Sequence, residues 1–89
     1  MRKITKDIKK AFDERRPLAI GNTQTDGNRV WLHGNLIIKR EGDKILGTLA
    51  GWNTPTTRER LNGITSGSWT QQNWEPFHNG KPIGETEWR

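Results

Sequence analysis

Between Ile4 and Phe12 the apolar residues Ile4, Ile8, Ala11 and Phe12 recur at offsets 0, 4, 7 and 8, with charged residues between them. That spacing puts them on one face of a 3.6-residue helix. Arg15 and Arg16 suit a last turn, where cations complement the carbonyl end, and Pro17 disfavours helical geometry at Arg16, so the helix is predicted to stop near residue 15. Residues 18–28 are rich in Gly, Asn, Thr and Asp and read as an extended piece followed by a turn. Period two then takes over. Residues 29–33 and 36–40 read as strands joined through Gly34 and Asn35, and residues 41–43 turn into a third strand over 44–50.

Gly51, Trp52 and Asn53 break that strand, after which Thr54 stands as an N-cap and Pro55 occupies the first helical position. A short second helix is predicted over 55–62, with Gly63 as a left-handed stop closed by Ile64. Beyond residue 65 the chain is polar, and Asn79-Gly80 marks a hairpin between 75–78 and 81–83. The pattern therefore predicts an α+β fold: an N-terminal amphipathic helix, a three-stranded antiparallel meander, a short second helix and a C-terminal β-hairpin. A chain of 89 residues has room for one small domain over 1–89, and residues 84–89 carry so little apolar content that they are expected to be loosely ordered.

Composition sharpens this picture in one respect. Only 29% of residues are apolar, so the five tryptophans, Trp31, Trp52, Trp69, Trp74 and Trp88, become candidates for the core. Trp52, at an element junction, is expected to roof it. Trp31 alternates with Val30 and Leu32 and falls on the opposite face of its strand. With Trp69 and Trp74 it would make a stacking platform of the kind single-strand binders use, unless all three are core.

The charge balance is +5 with a sequence pI near 10.1, which favours nucleic acid or an acidic host protein as partner. One candidate surface is the first helix, whose polar face carries Lys3, Lys6, Lys9, Lys10, Arg15 and Arg16. The same face equally serves solubility. A second candidate is the start of the second helix, where Thr54, Thr56 and Thr57 add hydroxyls and Arg58 a charge to the free N–H groups of a helix N-terminus. Threonines there are also ordinary caps.

Catalytic signatures are missing. There is no G-x-G-x-x-G, phosphate-binding loop or G-x-S-x-G, and His33 and His78 lie 45 residues apart, with His33 and His78 each expected to serve beside a turn. No enzyme activity, cofactor or metal is expected. The chain has no cysteine and no apolar run of the roughly 20 residues a membrane span needs, so a cytoplasmic, non-membrane protein is expected.

Two blocks carry a resemblance: Trp31-Leu32-His33-Gly34-Asn35, and Ala50-Gly51-Trp52-Asn53-Thr54-Pro55-Thr56-Thr57-Arg58-Glu59-Arg60-Leu61-Asn62-Gly63. Over residues 18–64 the chain resembles a group of small tailed-phage and prophage proteins of unassigned function, in which L-H-G-N precedes G-W-N-T-x-T-T-R-x-R-L-N. The resemblance implies a phage origin. It also implies a small accessory protein that binds host proteins or nucleic acid. The charge makes a nucleic-acid-associated protein, acting through the basic helix and the capped helix start, the first expectation; an inhibitor or adaptor of a host protein and a minor virion component are the alternatives.

Overall fold

The structure, a computed structural model, describes residues 2–89. Helix α1 (Lys3–Asp13) leads into five strands, β1 (Leu18–Ile20), β2 (Thr23–Thr25), β3 (Arg29–Leu32), β4 (Asn35–Glu41) and β5 (Lys44–Gly47). Helix α2 (Pro55–Ile64) follows, then β6 (Trp69–Gln72), β7 (Glu75–His78) and β8 (Lys81–Pro82). The first five strands form one antiparallel meander in chain order and the last three form a second antiparallel sheet.

The α+β class is as the sequence predicts, but the meander has five strands rather than three. Residues 18–28 supply the extra pair, β1 and β2. The inward positions of β2 are Thr23 and Thr25, both buried and both polar, so the strand lacks an apolar alternation. The second sheet likewise extends the expected hairpin by β6.

Helix α1 ends two residues earlier than predicted. Arg15 adopts φ 56°, and the N–H groups of Arg15 and Arg16 donate back to the carbonyls of Phe12 (3.2 Å) and Ala11 (2.8 Å). This is a Schellman closure with arginine where glycine is usual. Arg40 from β4 completes it, donating to the Phe12 carbonyl at 2.6 Å with its guanidinium 4.0 Å from the Phe12 ring centroid. Helix α2, by contrast, runs through Gly63 instead of stopping there. It ends at Thr65, whose N–H and hydroxyl both donate to the Leu61 carbonyl.

Ile8 and Phe12 of α1, Val30 and Leu32 of β3, Ile37 and Ile38 of β4, Leu61 and Ile64 of α2, and Trp69 of β6 form one buried cluster. A bulge makes its middle possible. Val30 pairs with Ile38 and Trp31 with Leu36, so Ile37 is an extra residue on β4, and Ile37 and Ile38 are both buried although adjacent in sequence. The bulge also keeps Leu36 opposite Trp31 on the face away from the helices.

The largest fully buried side chain is charged. Arg60 of α2 is 1% exposed and donates to Thr23 Oγ1 (2.9 Å), Thr5 Oγ1 (3.1 Å), Asn22 Oδ1 (3.3 Å) and the Glu59 carboxylate. Thr5 in turn donates to Glu59 at 2.6 Å. Burial works against the Glu59 charge, but the hydrogen bonds from Thr5 and Arg60 prevail and hold its carboxyl below the ordinary value of 4.5. The guanidinium is thus buried with a counter-charge and with hydrogen-bond acceptors, the condition under which such burial is tolerated. The network ties α1, β2 and α2 together.

Residues 84–89, expected to be loosely ordered, are fastened by backbone bonds. Arg89 exchanges two with Gly47 (2.9 and 2.8 Å), and the Gly51 N–H donates to the Glu85 carbonyl at 2.8 Å. The attachment uses main-chain groups at the open edge of β5, which side-chain composition does not reveal. Trp88 is set half-buried with its ring centroid 4.4 Å from Lys39 Nζ.

Candidate functional site

The two sequence blocks that carry the resemblance meet in space. At the β3–β4 hairpin, His33 (φ 50°) and Gly34 (φ 79°) form the two-residue turn between the paired residues Leu32 and Asn35. Both are left-handed, as a type I′ turn requires, so the turn is His33-Gly34 and not Gly34-Asn35 as the composition suggests. The His33 N–H donates to the Asn22 carbonyl at 2.8 Å, which fixes the turn against the β1–β2 loop. Facing it, residues 48–54 wind tightly through Ala50 (φ 53°) and Gly51 (φ 84°) into the start of α2.

Between these segments lies a cleft of about 440 Å³. Leu32, Ile37 and Leu49 supply its apolar lining, and Trp52, His33, Asn35, Thr54, Thr56 and Thr57 the remainder. Among the described residues no Lys, Arg, Asp or Glu lines it. A concavity of this size with an apolar base and a few polar groups is the usual form of a binding site.

Its aromatic wall, Trp52, is 58% exposed and does not roof the core. Asn53 links it to a second exposed tryptophan. The Asn53 amide donates to Gln71 Oε1 (3.0 Å) and to the Trp74 carbonyl (3.4 Å), and its oxygen accepts from Arg58. Trp74 stands at the tip of the β6–β7 hairpin, 86% exposed, where Asn73 (φ 50°) and Trp74 (φ 68°) form the turn. A large aromatic in the left-handed region is strained, and such strain persists where the surroundings hold it.

The residues singled out from sequence are thus distributed over several places. Thr54, Thr56 and Thr57 do come together on the cleft, but Thr54 and Thr57 form the helix cap: the Thr57 N–H donates to Thr54 Oγ1 at 3.1 Å, and the two hydroxyls lie 2.9 Å apart. Arg58 is not with them on the cleft; it is held by Asn53 and, at 3.3 Å, by Gln71. The expected anion site at the helix start is therefore a self-satisfied cap beside a neutral cleft.

On α1, Lys3 pairs with Asp7 (2.7 Å) and Lys9 with Asp13 (2.8 Å), while beyond it Arg16 pairs with Glu14 (2.7 Å) and Arg15 donates to Asn28 (3.2 Å). Lys6 and Lys10 remain exposed between these pairs. The tryptophan platform does not form. Trp69 is 2% exposed, packed on His78 with ring centroids 4.6 Å apart, and its backbone N–H and C=O are both bonded by the Asn62 amide. Burial, and then the Arg89 charge, hold His78 below the usual imidazole value. Trp31 lies on the outer sheet face, away from the core.

Leu32, His33, Asn35 and Trp52 are the site residues that sequence reasoning assigned to structure alone. Their signal was the coincidence of two compact blocks, L-H-G-N and W-N-T-P-T-T, each dense in turn and cap residues. No group of three or more His, Cys, Asp or Glu able to hold a metal occurs among the described residues, and no helix there is long and apolar enough to cross a membrane.

Fold and site together define a small α+β protein with a neutral cleft flanked by exposed tryptophan. The chain belongs to the Kyanoviridae Gp96 family: the family model, described as Kyanoviridae Gp96 protein, matches residues 1–89. It is a phage protein, of a family whose function is unassigned. No curated protein and no solved structure matches the chain.

Proposed function

We propose that this protein is a phage-encoded adaptor that binds a host protein through the cleft beside Trp52, with Trp52 and Trp74 as anchoring side chains. The observation that carries the reading is the exposure of these two tryptophans, 58% and 86%, at positions joined through Asn53 and next to an apolar-based cleft. Tryptophan dominates the small set of residues that supply most interface energy, and it does so when it enters a pocket of the partner or walls one of its own. A chain only 29% apolar has reason to bury such residues, and this one turns them outward.

The neutral lining of the cleft favours a protein over a polyanion there, because phosphate recognition draws most of its affinity from Lys and Arg. The positive excess of the chain acts at longer range, steering an acidic partner surface toward the molecule.

The test is capture of a stoichiometric protein partner from host lysate by the wild-type chain, compared with Trp52→Ala/Trp74→Ala and Lys6→Glu/Lys10→Glu. Loss of the partner with the tryptophan variant and its retention with the lysine variant is expected. Equal capture by the tryptophan variant, or no stoichiometric partner at all, refutes the reading.

A further inference from the structure

The face of the five-stranded sheet turned away from the helices has no role in the cleft. Its composition is unusual for a solvent face. Two rows of side chains cross it in register: Ala19, Gln24, Trp31 and Leu36, and beside them Arg29, Lys39 and Leu46. Trp88 joins the second row over Lys39.

Four large apolar side chains, Trp31, Leu36, Leu46 and Trp88, are therefore only half-buried on this face, while every other position of the pattern is polar or small. The tryptophans are interleaved with cations. The Arg29 guanidinium lies over the Trp31 ring, 5.4 Å from its centroid, and the Lys39 ammonium over the Trp88 ring at 4.4 Å, so a base stacking on either covered ring face must displace the cation toward its own phosphate. Lys44, opposite Glu41 at the start of β5, is exposed at the same end of the sheet.

We infer that this face binds single-stranded nucleic acid, with Trp31 and Trp88 as stacking surfaces and Arg29, Lys39 and Lys44 as phosphate contacts. Unpaired bases stack on aromatic rings whatever their sequence, and a basic surface beside the rings follows the backbone. Arg29 holds Asp26 at 2.9 Å and Lys39 holds Glu41 at 3.7 Å, but each pair has one exposed and one half-buried partner, and pairs so open to solvent are weak enough for a phosphate to compete with the carboxylate. An open sheet face offers rings to splayed bases and no helix that enters a duplex groove. The interleaved cations set this face apart from the Trp52 cleft, whose lining has none. The ligand here is a strand and not a protein surface.

The experiment is a fluorescence-anisotropy titration of the full chain with labelled oligo-dT, oligo-U and a DNA duplex, each about 12 nucleotides long, at about 50 mM salt. Two charge-reversed variants of equal net charge separate this face from general basicity: Arg29→Glu/Lys39→Glu on the sheet and Lys6→Glu/Lys10→Glu on α1. The expected result is single-strand binding that weakens with salt, falls roughly tenfold or more in the sheet variant and changes about threefold or less in the helix variant. Trp31→Ala is expected to lose roughly tenfold, and Trp31→Phe to keep most of the affinity. The relative affinity for oligo-dT and oligo-U tells DNA from RNA as the natural strand. Absence of binding, tighter binding of the duplex, or an equal loss in the helix variant overturns the inference. If Trp31→Ala does not fold, the two charge-reversed variants decide alone.

Discussion

Trp74 shows how a single residue can be held against its own preference. In the sequence Asn73-Trp74 the second turn position has φ 68°, where glycine is favoured and where a bulky side chain is strained. At 86% exposure the indole contributes little packing that would compensate. Trp74→Gly is therefore expected to raise stability by about 0.5–1 kcal/mol, read as a higher urea midpoint with an unchanged slope. A lower midpoint would mean that the ring packs in the folded state and would remove it from the anchoring pair. The same residue illustrates what the sequence conceals. Five tryptophans in an apolar-poor chain suggest five core residues, yet of Trp52, Trp69 and Trp74 only Trp69 is buried. Burial of Trp69 follows from α2, whose Asn62 grips its backbone from seven residues away, and hydropathy carries no trace of that contact.

At the scale of elements, legibility followed apolar patterning. Helix α1, β3, β4 and the β7–β8 hairpin announce themselves through their period or their turn chemistry. Strands β1 and β2 do not, because the inward side chains of β2 are threonines: Thr23 accepts from the buried Arg60 guanidinium, and Thr25 bonds the backbone at Gly27 and Arg29. The cleft was equally hidden, since its two halves, around His33 and Trp52, are brought together only by the meander. How tightly the elements are joined differs from turn to turn. Gly27 (φ 95°) lies so close to the end of α1 that an added Cβ would be 2.6 Å from the Arg15 carbonyl carbon, whereas Gly34 (φ 79°) has open space around it. Gly27→Ala is expected to destabilise by about 3 kcal/mol or more, from backbone strain plus overlap, and Gly34→Ala by about 1 kcal/mol from strain alone. Equal denaturation midpoints for the two variants would contradict this account of the α1–sheet junction.

For the molecule as a whole, the Glu59–Arg60 network is one source of acid sensitivity, beside Asp26 and Glu87, whose carboxyls are also held below their ordinary values. The folded Glu59 carboxyl ionises below 4.5, so near that pH the unfolded chain binds more protons than the folded one. The stability this group contributes is complete above its unfolded value and is lost as the pH falls through the folded one. Unfolding free energy measured by denaturant from about pH 6 to about pH 3 is expected to decline in the wild type and to decline less steeply in Glu59→Gln. Identical slopes would assign acid sensitivity to other carboxylates. Arg60 has a further consequence, for the order in which the chain can assemble. Its partners Thr5 and Thr23 precede it by 55 and 37 residues. Arg40 can close the end of α1 earlier, but the hydrogen bonds to Thr5 cannot form until Glu59 and Arg60 have been made, so α1 acquires its link to α2 late.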